Sequence, residues 1–248
     1  MNTLITSAKN EKVKSWRKLH KRKGRKDANA FLIEGFHLIE EAWKSNEEIV
    51  EIIAEESVEL PDWSKAYPVE LVTEQVFQQI TQTLTPQGIA AVVAMKQVDN
   101  NEAKHMILID AVQDPGNLGT IIRTADAAGM DAVVLGKGTV DLYNDKVIRA
   151  TQGSVFHIPI YEANLIEEIA EIRENGFEIW ATSLDGAVPY NKVTVPEKTA
   201  IILGNEGAGV DKELIEMADK RVVIPIYGKA ESLNVGTAAA VLMYHLKS

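Results

Sequence analysis

The residues that bear on chemistry fall in two stretches. In the last fifth of the chain, Ile201, Ile202 and Leu203 run into Gly204-Asn205-Glu206-Gly207, with Gly209 two residues on. A second apolar segment, Val222 to Ile224, runs into Pro225 and Ile226. Both look like buried strands ending abruptly in loops. Glycines there let backbone N–H and C=O groups approach a ligand that a Cβ would hold off, so the loops suit a small-molecule pocket. Ser232, Leu233 and Asn234 then open an almost wholly apolar helix whose Gly236, Ala238, Ala239 and Ala240 would let another backbone pack close. Upstream, the stretch from Asp110 to Gly119 reads DAVQDPGNLG. Pro115 and Gly116 make a turn, and Asn117 is a good N-cap for the next helix, which puts Arg123 about two turns in. Taken singly, each residue has an ordinary reading: Asn117 a cap, Arg123 a surface ion pair, Glu206 a cap near Asp211, Ser232 and Asn234 N-caps.

Composition removes several kinds of chemistry. The absence of cysteine excludes disulfides, thiolate metal sites and a cysteine nucleophile. His20, His37, His105, His157 and His245 are scattered without metal-ligand spacing, so no metal is expected. A dinucleotide-binding turn needs Gly-x-Gly-x-x-Gly, and the first turn offers only Gly116 and Gly119. Gly136-Lys137-Gly138-Thr139 lacks the spacing of a P-loop. No apolar run approaches the ~20 residues that span a bilayer, and the N-terminus lacks a signal-peptide core, so no membrane is expected and the cytoplasm is.

The elements that must position these residues read as α/β throughout the 248 residues. Strand-like and helix-like segments alternate from Phe31 to Val93: Phe31–Ile33, Ile49–Ala54, Val69–Val72 and Ile89–Val93 against helices over Glu34–Lys44 and Glu74–Ile80. Residues 96–104 (KQVDNNEAK) read as a linker. We therefore expect a basic arm and small α/β domain over 1–95, and a second domain over 105–248. The second has strands at Met106–Ile109, Ala132–Leu135, Val155–Ile160, Glu178–Ala181, Ala200–Leu203 and Val222–Ile224. Helices over Leu118–Ala128, Leu165–Asn175 and Lys212–Ala218 lie between them, implying a mainly parallel sheet with helices on both faces.

The formal charge of -10 hides an asymmetry. Residues 1–26 hold ten Lys/Arg, among them Lys12, Arg17, Lys21, Arg22, Lys23, Arg25 and Lys26, against Glu11 alone. That is +9, leaving -19 on the remainder. Val13, Trp16 and Leu19 recur at helical spacing, so the arm reads as a docked amphipathic helix whose outward lysines and arginines would meet RNA phosphates.

The glycine-rich motif from Gly204 to Gly207, the Ser232-Leu233-Asn234-Val235 motif, and Asn117 paired with Arg123 resemble, in order, the motifs of the SpoU (TrmH-type) branch of knotted RNA methyltransferases. Phe31–Ala42 and Pro86–Val93 look like the ends of the small substrate-binding domain found before such catalytic domains. The resemblance implies S-adenosylmethionine-dependent methylation of a ribose 2′-hydroxyl in structured RNA, ribosomal RNA first and transfer RNA second. It implies Asn117, Arg123, Glu206, Ser232 and Asn234 as catalytic, with Glu206 either holding Arg123 and Asn117 or only capping the helix near Asp211. It implies cofactor contacts from Leu203, Gly204, Asn205, Gly207, Ile224, Ile226, Ser232, Leu233 and Asn234, and a C-terminal trefoil knot. Arg123 is either the base, as proposed in the family, or a grip on the phosphate beside the target ribose, which suits its planar fork. The rival reading is a catalytically silent, RNA-binding dimeric scaffold, against which the presence of all five residues counts. The helix from Leu233 to Leu246 is apolar on nearly every side, which predicts a homodimer, with Leu118–Ala128 of a second subunit covering its free face; the alternative is a monomer whose N-terminal domain covers it.

Overall fold

The basic stretch folds as two helices, α1 (Glu11–Lys18) and α2 (Arg22–Ala28), in a computed structural model that describes residues 4–96 and 103–248. Val13, Trp16 and Leu19 are buried, and Trp16 Nε1 donates to Glu51 at 2.7 Å. Gly24 permits the tight packing of α2 on the end of α1, since a Cβ there would lie 2.1 Å from the Lys18 carbonyl oxygen. The chain continues through β1 (Ala30–Glu34), α3 (Phe36–Lys44), β2 (Ile49–Glu55), β3 (Val69–Val72), α4 (Glu74–Ile80) and β4 (Ile89–Ala94). These strands form one sheet in the order β1-β4-β2-β3, with β4 antiparallel to both neighbours. On one face α1 and α4 pack over Ile53, Ala90 and Val92; on the other, α3 covers Ile33, Ile52 and Ala91.

The rest of the chain runs β5 (His105–Ile109), α5 (Pro115–Ala127), β6 (Ala132–Leu135), α6 (Asp145–Thr151), β7 (Ile160–Glu162), α7 (Leu165–Glu174) and β8 (Glu178–Thr182). It ends with β9 (Val188–Pro189), β10 (Thr199–Leu203), α8 (Lys212–Met217), β11 (Lys220–Val223) and α9 (Val235–His245). Seven strands form a second sheet, β7-β6-β5-β10-β8-β11-β9, with every pairing parallel. Ala132–Leu135 and Thr199–Leu203 are buried end to end, as strands covered on both faces must be. Ile169 and Ile172 of α7 and Leu214 of α8 close one face over Leu108, Val134 and Ile202.

Packing divides the chain into two units, Met1–Gln97 with Asp141–Phe156, and Val98–Val140 with His157–Ser248. Two expectations change here. The segment Asp141–Phe156 belongs to the first unit, although the sequence boundary assigns it to the second domain. Its Asp141 takes a 2.7 Å hydrogen bond from Arg25, its Tyr143 ring lies 4.5 Å from that of Phe31, and Ile148 and Phe156 join the core beneath α3. Nor do residues Val155 to Ile160 form one strand: a 3-10 turn spans Ser154–Phe156 and β7 begins only at Ile160. Phe156 is committed to the first unit's core, and Pro159 has no N–H for a ladder. Residues 97–102 of the expected linker lie outside the described residues.

Candidate active site

The site is built where β5 and β10, neighbours in the sheet, release their loops at the same edge. Asp110 N–H donates to the Leu203 carbonyl at 2.8 Å, so the two loops leave side by side. In a parallel sheet this carboxyl-end crevice is where ligands bind. The loop after β10 folds back on itself: Asn205 and Gly209 exchange backbone hydrogen bonds at 3.0 Å each way. Asn205 Oδ1 accepts from Gly207 and Ala208 N–H at 2.9 and 3.0 Å, closing the turn. Gly204 is obligatory there, because a Cβ would lie 2.2 Å from the Gly209 carbonyl carbon and the Val210 nitrogen.

Side chains then stitch this loop to the one after β5. Asn205 Nδ2 donates to the Ala111 carbonyl at 2.8 Å, and Asp110 Oδ2 accepts from Asp211 N–H at 2.7 Å. The Glu206 carboxylate accepts from Gln113 N–H at 3.2 Å, Asp114 N–H at 3.0 Å and Asn117 Nδ2 at 3.0 Å. Burial pushes the Glu206 carboxyl up, but donation from Asn117 and from its own, Asp114 and Gln113 N–H groups outweighs this and holds it below the usual range. Asp110 is shifted the other way, up, chiefly by burial, which the Asp211 N–H only partly offsets.

The third loop joins through Asn234, which has two tasks. Its Oδ1 caps α9 by accepting from Gly236 and Thr237 N–H, and its Nδ2 donates to Asn117 Oδ1 at 2.8 Å. Asn117 therefore uses both ends of its amide, giving to Glu206 and taking from Asn234. It can do so because it is not the cap of α5: Asp114 is, accepting from Asn117 N–H at 2.8 Å, with Pro115 in the first turn. The expected cap is corrected by three residues, and the signal was present, since Asp followed by Pro is itself a helix-start pattern. Glu206 likewise does not cap α8, whose N-cap is Asp211.

The remaining expected residues are placed around this relay. Arg123 is exposed on α5, and its side chain makes no hydrogen bond or ion pair among the described residues. Leu203 is the buried last residue of β10. Ile224 and Ile226 are half-buried after β11, while Ser232 and Leu233 are exposed just before α9. From Ile226 to Leu233 no backbone N–H has an acceptor among the described residues. Such a run of open donors, ending at the residue before Asn234, fits a polar ligand held through main-chain groups. The described residues hold no cluster of His, Cys, Asp and Glu suited to a metal ion.

The basic helices correct the expected RNA contacts. Arg25 is buried, its guanidinium donating to the Leu19 carbonyl at 2.9 Å and to Asp141. Lys12 is paired with Glu70 and, at 3.8 Å, Glu51. Arg25 is spent on holding the first unit together, whereas the Lys12 side chain stays half exposed; spacing alone does not reveal these pairings, since the carboxylate partners lie far along the chain. Arg22 is exposed and lies 3.9 Å from Asp141. Arg17, Lys21, Lys23 and Lys26 are exposed with side chains unpaired among the described residues.

Within the chain α5 packs on α9, Gly236 facing Thr120 so closely that a Cβ would lie 3.1 Å from Thr120 Cγ2. The Thr120, Arg123 and Ala127 side of α5 stays exposed.

Comparison with known proteins matches residues 104–244 to the SpoU rRNA Methylase family and residues 10–91 to the MRM3-like substrate binding domain. The chain is 50% identical over 244 residues, 98% of both chains, to the 23S rRNA (guanosine(2553)-2'-O)-methyltransferase RlmP of Bacillus subtilis (strain 168). An AdoMet-bound rRNA methyltransferase from Sinorhizobium meliloti has the same fold, with TM-score 0.89, 32% identity and coverage of 99% of this chain and 97% of that one. The SpoU methyltransferase AviRb from Streptomyces viridochromogenes, in complex with AdoMet, gives TM-score 0.86 at 25% identity over 96% and 97% of the two chains.

Proposed function

The chain belongs to the SpoU rRNA Methylase family, and from that membership we propose that it is a ribose 2′-O-methyltransferase acting with S-adenosylmethionine on a guanosine of 23S ribosomal RNA. The observation that carries this reading is the Glu206–Asn117–Asn234 relay, which fastens three loops into one rigid edge beside the open N–H groups of residues 226–233. Bound there, the cofactor supplies a sulfonium methyl group. The chain's own share is positioning, which can lower such a barrier by several kcal/mol. Leu203, Gly204, Asn205, Gly207, Ile224, Ile226 and the 232–234 turn hold the cofactor by main-chain groups.

Arg123 is given the phosphate beside the target ribose. A guanidinium keeps its proton, so it serves as a fork for an anion rather than as a base. Glu206, Asn117 and Asn234 hold the loops and are positioning residues; Ser232, exposed just before α9, is assigned to the target ribose.

In the same reading residues 1–95 with the returning segment Asp141–Phe156 recognise the RNA, with Arg17, Lys21, Lys23 and Lys26 on phosphates, and the remainder of residues 105–248 carries the chemistry in the cytoplasm. A homodimer would use the half-exposed face of α9 around Val241 and Tyr244, and the C-terminal segment would form the trefoil knot. The deciding experiment incubates the protein with 23S rRNA and methyl-labelled S-adenosylmethionine and maps ribose methylation. Label at one guanosine 2′-oxygen is the expected result. No transfer to 23S rRNA, with or without transfer to tRNA, defeats the proposal.

A further inference from the structure

The loop between α4 and β4 belongs to none of the machinery described so far. It reads TQTLTPQ over residues 81–87, carries no charge, and lifts Leu84 fully into water. A single exposed leucine is ordinary; this one is held in place from both sides. The Glu34 carboxylate at the end of β1 accepts from the Thr81 hydroxyl, from Gln82 N–H at 2.8 Å and from the Thr83 hydroxyl at 2.7 Å. At the other end Gln87 Oε1 accepts from Phe36 N–H at 3.0 Å. Gly35, at φ +91°, makes room for that contact, since a Cβ there would lie 2.9 Å from Gln87 Oε1.

The loop also starts beside the basic helices. His20, just past the end of α1, has its Nε2 3.0 Å from the carbonyl of Ile80, the residue before Thr81. Lys21 follows His20 directly, and Lys23 and Lys26 lie on α2 with open side chains. Thus one unit brings together a cationic strip and an uncharged, braced tip of hydroxyls, amides and one bare aliphatic side chain. The strip suits phosphates, which position RNA without reading it. The tip suits the other half of recognition, the face of an unstacked base and the ribose hydroxyls beside it.

We propose that Leu84 is a specificity-determining contact, packing against an unpaired nucleotide of the RNA substrate, with Glu34 as the positioning residue that holds its loop. This rests on the reading that the first unit binds ribosomal RNA. The test uses the full chain, a 23S rRNA fragment and binding measured across a salt series, with melting temperature and S-adenosylmethionine affinity in parallel. Leu84→Ala is expected to raise the RNA Kd by about 5- to 10-fold with the log–log salt slope unchanged, within the range for losing one base-packing contact. Leu84→Met should restore most of it. Glu34→Gln, which keeps only one acceptor oxygen, should weaken RNA binding without altering the slope, and its effect should largely vanish in the Leu84→Ala background.

An RNA Kd for Leu84→Ala within twofold of the parent overturns the proposal, as does a fall in salt slope like that of a lysine variant. A defect seen on ribosomal particles but not on naked RNA overturns it too, since the partner would then be a protein. If the parent protein itself fails to bind the fragment, the underlying reading fails instead.

Discussion

Replacing Gly204 by alanine is the sharpest probe of the cofactor edge, because one methyl group meets only backbone. The added Cβ would lie 2.2 Å from Gly209 C, 2.2 Å from Val210 N and 2.4 Å from Gly209 O, where ordinary contact starts at 3.4 Å. The turn must open by about 1.2 Å (3.4 minus 2.2), and no flexible side chain can absorb the movement. That displacement breaks the paired Asn205–Gly209 hydrogen bonds and strains the Glu206 contacts to the neighbouring loop. At ~1 kcal/mol for each of two lost hydrogen bonds, the bound arrangement loses about 2 kcal/mol. S-adenosylmethionine affinity should therefore fall roughly 30-fold, more if overpacking strain adds its usual ~1–3 kcal/mol. Calorimetric titration reads the affinity, and a thermal melt shows whether the rest of the chain still folds. Binding within threefold of the parent, at an unchanged melting temperature, would mean that this turn does not hold the cofactor.

Glu206→Gln turns two acceptor oxygens into one and should cut methyl transfer about 5- to 30-fold, as expected for ~1–2 kcal/mol of lost charge-assisted hydrogen bonding at an exposed site. The same carboxylate, held below its ordinary range by the donors around it, stabilises the relay fully above that range and stops doing so as pH falls through its lowered value. Cofactor affinity followed as pH falls below the ordinary carboxylate range should show that loss in the parent and not in Glu206→Gln. Arg25→Met strands Asp141 and should cost about 2–4 kcal/mol in urea unfolding while leaving the salt slope of RNA binding unchanged. Lys21→Ala with Lys23→Ala should do the reverse, leaving stability alone and shrinking the slope by roughly 0.7 to 0.9 per lost phosphate contact. Substituting Tyr244, exposed on α9, with Glu should shift sedimentation of the full chain from dimer to monomer; a parent that already sediments as a monomer sinks the dimer proposal.

The sequence shows best those features in which local pattern and tertiary role agree. Apolar runs such as AVVL and TAIIL give buried parallel strands, and Val13, Trp16 and Leu19 give a docked helix, because burial alone sets both patterns. The motif order likewise brings Asn117, Glu206 and Asn234 to one edge; Glu206 holds Asn117 but not Arg123, and the bond from Asn234 to Asn117 could not be read from the motifs. Which amide faces which oxygen across 89 or 117 residues depends on sheet order, not spacing. Arg25 shows the converse. By composition it belongs with its basic neighbours, and only the return of Asp141 across 116 residues makes it a buried structural ion. Val155 to Ile160 misleads for a related reason, since its apolar residues serve two different interiors.

The excursion of Asp141–Phe156 into the first unit means that the chain crosses between units three times, after residues 97, 140 and 156, instead of once. A gene cut anywhere in the linker thus yields no transplantable cassette. A fragment starting near residue 100 would carry Ile148 and Phe156 bare, and a fragment ending there would lack the Asp141 that neutralises Arg25. Grafting this recognition unit onto another transferase, or this transferase onto another recognition unit, therefore requires moving the sixteen-residue excursion with the N-terminal part, as two separated pieces of coding sequence.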